Sequence, residues 1–329
     1  MPIENRPVLT IAIPTYNRSW YLDRCLSQIV KQVDKYGDKV ELIVSDNCSN
    51  DDTQAIVDTY IADGHEINYI KNVSNIGPDA NFSQCFERSN GKYFLLFSDD
   101  DLLLDDSLDK IIELIENNDY GVIYLSSYFF KSDYLKERPI RKMKGSIVFD
   151  DLLKFIQKVD VWFTFISGNV INKNLVDANL ALNDFAGTNL QQLSWTFSSL
   201  FNSRKNVYYD EYLVAGQLET TGGYRFCEVF GHNMNTVFRI FVNKYGINQE
   251  YFEIINRKIL KKHLSKYILS ARNGFGKYYE EDFMRILHPI FKSYLSYWIF
   301  VYPAIKWPLP LAKGWCKVSR FVAKQLKTL

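Results

Sequence analysis

A chain of 329 residues, 47 % of them hydrophobic, can bury one large domain or a domain with an appendage. Its formal net charge of +1 argues against a general nucleic-acid binder, which needs a strongly basic face. Five scattered cysteines (Cys25, Cys48, Cys85, Cys227, Cys316) form no C-x-x-C pair, so neither a disulfide framework nor structural zinc is expected, and a reducing cytosol is.

Residues 1–6 lead quickly into a strand, which reads as no signal peptide. Residues 8–13 (VLTIAI) predict the first strand, and Pro14, lacking an N–H, is expected to end its ladder. Ser19 can cap a helix whose face carries Leu22, Leu26, Ile29, Val30 and Val33 at helical spacing. Residues 40–44 predict a second strand, closed by a polar run from Ser45 to Thr53. Ile56, Val57, Tyr60 and Ile61 mark the next helix. Residues 67–70 predict a third strand; Gly77 then breaks the chain and Pro78 suits a first helical turn. Strands alternating with helices imply βαβ units and a mostly parallel sheet flanked by helices.

Residues 93–97 are apolar or aromatic without interruption and suit a central strand buried on both faces. Asp99, Asp100 and Asp101 follow almost at once. Open α/β sheets bind ligands outside the carboxyl ends of their strands, and three carboxylates there call for a counter-charge. Mg or Mn would supply it, sharing its remaining sites with water and substrate phosphates. The plain alternative is capping of the helix that starts near Asp105. No G-x-G-x-x-G and no G-x-x-x-x-G-K-[ST] is present, so phosphate must be held in another way.

Four segments occur in order: Ile11-Ala12-Ile13-Pro14-Thr15-Tyr16-Asn17-Arg18; Ser45-Asp46-Asn47-Cys48-Ser49 with Asp52-Thr53; Asn75-Ile76-Gly77-Pro78 with Asn81-Phe82; and Ser98-Asp99-Asp100-Asp101. Together they resemble the family 2 glycosyltransferases of GT-A fold, and their wording is most similar to the abequosyltransferase type of bacterial O-antigen synthesis. Ala186-Gly187-Thr188-Asn189 and Thr221-Gly222-Gly223 resemble that group more loosely. The resemblance implies a nucleotide-diphospho-sugar transferase fold with a C-terminal helical region. It implies that Pro14, Thr15, Tyr16 and Arg18 line a nucleoside pocket, that Asp46 bonds the base, and that Gly77 and Asn81 lie against nucleotide and sugar. Asp99 and Asp101, with Asp100 between them, would hold ribose and a divalent cation, Mn or Mg. Taken alone, Asp46 and Asp52 could equally be turn or cap residues, and Tyr16 could be core.

Beyond the triplet, Leu108, Ile111, Ile112 and Ile115 predict a helix face, and residues 122–126 a strand. Residues 131–146 are charged and read as a solvated loop or hairpin, with phosphate gripping as the alternative. Trp162 and Phe165 could stack on a pyranose or be core; Ser167, Gly168 and Asn169 are placed for polar sugar or acceptor contacts. Inverting enzymes of this fold need a carboxylate base. The window 187–192, where the family often carries an acidic pair, contains no acid. Asp184 is the nearest candidate, and Asp210, Glu211 and Glu228 are further ones. Residues 213–218 read as an edge strand, followed by a glycine-bearing loop in which Arg225 could clamp a diphosphate. His232 is a candidate metal ligand, although a lone histidine is more often structural.

The division expected is 1–220 for the nucleotide-sugar domain and 221–329 for a mainly helical region. After Asp282 no acid occurs, while eight basic residues (Arg285, Lys292, Lys306, Lys313, Lys317, Arg320, Lys324, Lys327) alternate with Trp, Tyr, Phe and Leu. Prolines 303, 308 and 310 break the apolar stretch, so it should not span a bilayer. Such a tail suits the anionic inner leaflet, at about 1 kcal/mol per basic residue; a helical subdomain with a basic outer face is the alternative. The function expected is metal-dependent transfer of a sugar, by analogy with the subgroup a deoxy or dideoxyhexose, from a nucleotide-sugar to a polyprenyl-diphosphate-linked glycan, with inversion, at the cytoplasmic face of the membrane. The rivals are a nucleotidyltransferase and a catalytically idle nucleotide- or glycan-binding protein.

Overall fold

The computed structural model describes residues 6–218, 225–274 and 282–325, which fall into two compact units. The first comprises Met1–Gly187 and Gln191–Thr220; the second comprises Thr188–Leu190 and Thr221–Leu329.

The first unit is built on a nine-stranded sheet: β1 (Leu9–Thr15), β2 (Val40–Asp46), β3 (Asn68–Lys71), β4 (Tyr93–Leu96), β5 (Leu102–Leu103), β6 (Val122–Phe130), β7 (Ser146–Phe149), β8 (Asn169–Asn172) and β9 (Asn206–Gln217). Its order is β3-β2-β1-β4-β8-β6-β9-β5, with β7 also on β9. The pairs β1–β2, β1–β4, β2–β3 and β6–β9 are parallel. Those made by β4 and β6 with β8, and by β5 and β7 with β9, are antiparallel. The expected parallel sheet is therefore the N-terminal half, and the whole is mixed.

The β-rich run of β1 is buried at every position, as a strand covered on both faces must be. Helix α1 (Ser19–Val33) packs Leu22, Leu26, Ile29, Val30 and Val33 inward, together with Cys25. Helices α2 (Thr53–Ala62) and α3 (Pro78–Arg88) follow the next two strands, and α4 (Ser107–Glu116) buries Leu108, Ile111, Ile112 and Ile115. On α2 the predicted face is only partly used: Val57 is buried, but Ile61 is exposed. Strand β3 at the sheet edge has no fully buried residue, so little apolar surface is offered there. Helices α5 (Leu152–Val159) and α6 (Gln192–Phe201) complete the unit.

Two local expectations are corrected. Pro14 does not end β1, because Thr15 still pairs with Asp46 on β2. Along β1 the backbone alternates sides: Thr15 O accepts from Asn47 towards β2, and Ala12 O accepts from Phe97 towards β4. Pro14 shares the parity of Ala12, so its missing N–H falls on the β4 side, where the ladder has ended at Ala12↔Leu96. The edge strand expected at 213–218 is instead part of the twelve-residue β9, an interior strand between β6 and the pair β5 and β7. One close approach needs glycine: a Cβ on Gly91 would lie 2.5 Å from Thr10 N, in the turn that brings β4 alongside β1.

The second unit is helical: α7 (Met234–Tyr245), α8 (Gln249–Ile259), α9 (Ser265–Arg272), α10 (Phe283–Phe291), α11 (Tyr302–Lys306) and α12 (Leu309–Gln325). Among the described residues three π-helical stretches interrupt it, at Glu228–Asn233, Leu260–Leu264 and Tyr297–Val301. The segment Thr221-Gly222-Gly223 lies outside the described residues. No helix among the described residues is long and apolar enough to cross a membrane.

Leu95 is fully buried and sits between β1 and β8 in the main core. Leu95→Ala is expected to cost about 2–5 kcal/mol, read as a lowered urea midpoint. An unchanged midpoint would mean that this strand is not central to the core.

Candidate functional site

Because β1 to β4 run parallel, their carboxyl ends share one edge of the sheet. The strand order turns back at β1 and β4, the kind of switch point at which open α/β sheets bind ligands. Polar side chains lock the loops there to one another. Asn17 N donates to Ser49 Oγ (2.9 Å), and Asn50 N donates to Asn17 Oδ1 (2.8 Å), joining the first loop to the second. Asn47 Nδ2 donates to Asn75 Oδ1 (3.0 Å), and Ile76 N donates to Asn47 Oδ1 (2.9 Å), joining the second to the third. Gly77, at φ 85°, allows the turn into α3.

The acid triplet follows β4 in a turn closed by Asp101 N donating to Ser98 O. Asp99 and Asp101 are almost fully buried. Thr15 Oγ1 donates to Asp99 Oδ2 (2.8 Å), and Arg18 Nη1 lies 2.9 Å from Asp99 Oδ1. The second guanidinium nitrogen of Arg18 pairs with Asp100, which also accepts from Ser98 Oγ. Asp101 accepts from Ser167 Oγ (2.6 Å) and from Gln217 N (3.1 Å). Burial pushes the Asp99 carboxyl up to about 7 even though Arg18 pulls it down. Burial, reinforced by the Asp100 charge, pushes Asp101 well above the usual carboxylate range.

The counter-charge that the triplet demands is thus in part Arg18. Its role was legible only as a pocket-lining residue, because nothing in the local sequence shows which acid it will meet. Thr15, Ser167 and Gln217 as partners of the acids were likewise not foreseen in that role.

The remaining predicted residues fall into distinct settings. Asp46 is fully buried, its carboxylate accepting from Ser49 N (2.7 Å) and Tyr69 OH (2.7 Å), so it shapes the second loop. Asn81 is buried and exchanges hydrogen bonds with Ser45. Pro14 is buried, while Tyr16 is exposed beside it. Gly168 is packed so closely that a Cβ would lie 2.9 Å from Phe165. Asn169 Nδ2 holds the carbonyls of Phe163 (3.1 Å) and Phe165 (2.7 Å). Trp162 stacks on Phe129 and lines a hollow of about 300 Å³ with Tyr208, Tyr212 and Arg141. The buried Ser126 hydroxyl on that hollow has no hydrogen-bond partner among the described residues.

Among the candidate bases, Asp184 is exposed in a short turn of 3-10 helix. Burial pushes the Asp210 carboxyl up, but its bond to Arg141 outweighs this and holds it below the usual range. Glu211 pairs with Lys110 at 2.5 Å. Arg225, Glu228 and His232 belong to the second unit, where Arg225 and Glu228 approach to 3.6 Å and His232 is exposed.

Among the described residues each of the six carboxylate oxygens of the triplet meets one protein donor, and a carboxylate oxygen has room for a second partner. Among the described residues no three His, Cys, Asp or Glu side chains form a cage ready for a metal. What the triplet could offer a hard cation is one or two carboxylate oxygens, the other positions falling to water and phosphate oxygens.

Residues 10–179 match the family model described as Glycosyl transferase family 2. Over 102 residues, 31 % of this chain and 30 % of the relative, the chain is 38 % identical to the abequosyltransferase RfbV of Salmonella typhimurium. Over 108 residues, 32 % of this chain and 34 % of the relative, it is 32 % identical to the GalNAc(5)-diNAcBac-PP-undecaprenol beta-1,3-glucosyltransferase of Campylobacter jejuni. The matched stretch spans about a third of the length of these curated relatives. Among solved structures, TarS 1-349 of S. aureus in complex with UDP-GlcNAc superposes with a TM-score of 0.59 at 17 % identity, covering 96 % of this chain and 90 % of that one. The mannosyltransferase PcManGT of Pyrobaculum calidifontis, in complex with GDP-Man and Mn2+, gives 0.50 at 13 % identity, covering 98 % and 88 %. The fold is shared with these glycosyltransferases.

A raised carboxyl pKa means that the folded chain holds its proton more tightly than the unfolded chain. That stabilisation is complete below the unfolded value of about 3.9 and is lost as pH rises through the folded value. In EDTA, Asp101→Asn is expected to raise the thermal midpoint at pH 8 by about 3 °C or more, and the gain should vanish towards pH 4. A shift of the same size at both pH values would contradict a raised pKa at Asp101.

Proposed function

The chain belongs to glycosyl transferase family 2, and from that premise we propose that it transfers a sugar from a nucleotide-sugar donor to a hydroxyl of a lipid-linked glycan. The observation that carries this reading is the buried acid triplet, bridged by Arg18, at the carboxyl ends of parallel strands. A bound Mg or Mn, held by Asp99 and Asp101, would supply Lewis-acid stabilisation of the leaving diphosphate. Arg18, already fixed by two carboxylates, offers its guanidinium to phosphate oxygens beside them. Thr15 and Ser167 fix the orientation of Asp99 and Asp101. Tyr16, exposed at the end of β1, offers a ring for a base, and Asp46 holds the loop that Asn47 ties to the third.

On the acceptor side, the hollow beneath Trp162 offers aromatic faces and the unpartnered Ser126 hydroxyl to a sugar ring. Asp184 is the proposed base that takes the acceptor hydroxyl's proton, which would make the reaction direct and inverting. A deoxy or dideoxyhexose donor and an O-antigen-type, polyprenyl-diphosphate-linked acceptor follow the similarity to the abequosyltransferase and to the Campylobacter jejuni enzyme, whose name specifies a PP-undecaprenol glycan. The acid-free, aromatic end of the chain supports a peripheral position on the cytoplasmic face of the membrane.

A catalytically idle nucleotide- or glycan-binding protein is the competing reading, favoured by the lack of an acid at 187–192. Donor turnover separates the two. Purified full-length chain with Mn or Mg is expected to release nucleoside diphosphate from one member of a panel of UDP-, GDP-, CDP- and dTDP-sugars. Asp99→Asn and Asp101→Asn should each lower kcat/KM by about 100-fold, and EDTA should abolish release. Nucleotide binding with no release from any donor, in the presence of lipid-linked acceptor, would establish the idle reading; release undiminished by EDTA would remove the metal.

A further inference from the structure

Helix α12 carries three stripes, each at the spacing of one helical face. Ala312, Cys316, Ser319 and Ala323 are buried. Lys313, Lys317, Arg320 and Lys324 form a basic stripe. Leu311, Trp315, Val318 and Val322 form an apolar stripe that is exposed, Leu311 at 63 % and Val318 at 56 %. An amphipathic helix that served only to close a helical core would turn its large apolar residues inward. Here the inward stripe is small and the large residues face outward.

Trp315, Val318 and Val322 of that stripe form one wall of a trough of about 990 Å³ lying wholly within the second unit. Ile299 and Phe300 on the π-helical stretch Tyr297–Val301 contribute apolar surface, and Leu295 stands 74 % exposed at the margin. Arg257 and Lys261 line it from α8 and the π-helical stretch that follows; Glu253 lines it too and pairs with Arg257 at 2.9 Å. Ser319 lines the trough, and its buried hydroxyl oxygen has no hydrogen-bond partner among the described residues. The volume is at the upper end of the range for small-molecule sites.

We infer that this trough binds the first isoprenoid units of a phosphate-bearing polyprenyl lipid, with the chain along the Trp315–Val318–Val322 wall and the phosphate towards Arg257 and Lys261. The apolar wall alone would fit many occupants. The two cations and the unsatisfied hydroxyl select one that is apolar along its length and anionic at one end. Identifying that lipid as the carrier of the glycan acceptor rests on the function proposed above; binding itself does not.

The probe is farnesyl diphosphate, titrated into the full-length chain by calorimetry beside farnesol and inorganic pyrophosphate. Farnesyl diphosphate is expected to bind at least tenfold more tightly than either fragment. The double variant Val318→Asp/Val322→Asp and the double variant Arg257→Gln/Lys261→Gln should each weaken it at least tenfold. Since Val318 and Val322 are exposed, the first variant should keep its thermal midpoint and its metal-dependent donor hydrolysis. Binding unchanged in both variants, or no preference over pyrophosphate, would overturn the inference. So would association with phosphatidylglycerol vesicles that depends on Val318 and Val322 without any binding of farnesyl diphosphate, which would make the stripe a membrane-surface contact. A dimer broken by Val318→Asp/Val322→Asp would make it an interface between copies. Farnesyl diphosphate binding without donor turnover would leave the lipid site standing and count against the transferase reading; turnover without trough-dependent binding would do the reverse.

Discussion

Placing three carboxylates in a row at the end of a buried strand is the constraint around which the first unit is arranged. Charges so close and so poorly solvated cannot all stay ionised without help. The fold answers with a shared guanidinium from Arg18, hydroxyls from Thr15 and Ser167, and one backbone amide from Gln217. The answer is partial: Asp99 and Asp101 keep raised proton affinity. The electrostatic demand left unmet is carried as bound protons, and a site arranged in this way costs the fold some stability.

The partners of the acids explain which parts of the architecture were legible. The helix faces of α1 and α4 could be read from spacing alone, since a residue's burial there depends on neighbours three and four positions away. Strands β1, β2 and β4 were legible for a similar reason, being near-continuous apolar runs between helices. The other half of the sheet was not. Strand β8 has only four residues yet separates β4 from β6, and β9 begins in a polar, tyrosine-rich run that carries no clear alternation. Ser167 and Gln217 reach Asp101 from 66 and 116 positions away, and no local pattern encodes such a meeting.

The same reasoning separates two kinds of site residue. Asp46, Asn81, Gly168 and Asn169 were singled out for ligand contact, and the structure gives them local structural duties: holding a loop, bridging to Ser45, permitting close packing, and fastening a turn. Such residues can determine binding without touching a ligand, because a loop that is tied at both ends loses little entropy when a ligand arrives. Tyr16 and Trp162, by contrast, are exposed.

The absent amide hydrogen of Pro14 has a consequence for the shape of the strand tips. Beyond Ala12 and Leu96 the paired register of β1 and β4 ends, while β1 stays zipped to β2 through Asp46. Any other amino acid at position 14 would carry an amide donor on the β4 side of β1, where a further rung could form. An imino acid at this point thus stops the two strands from zipping further towards the acids.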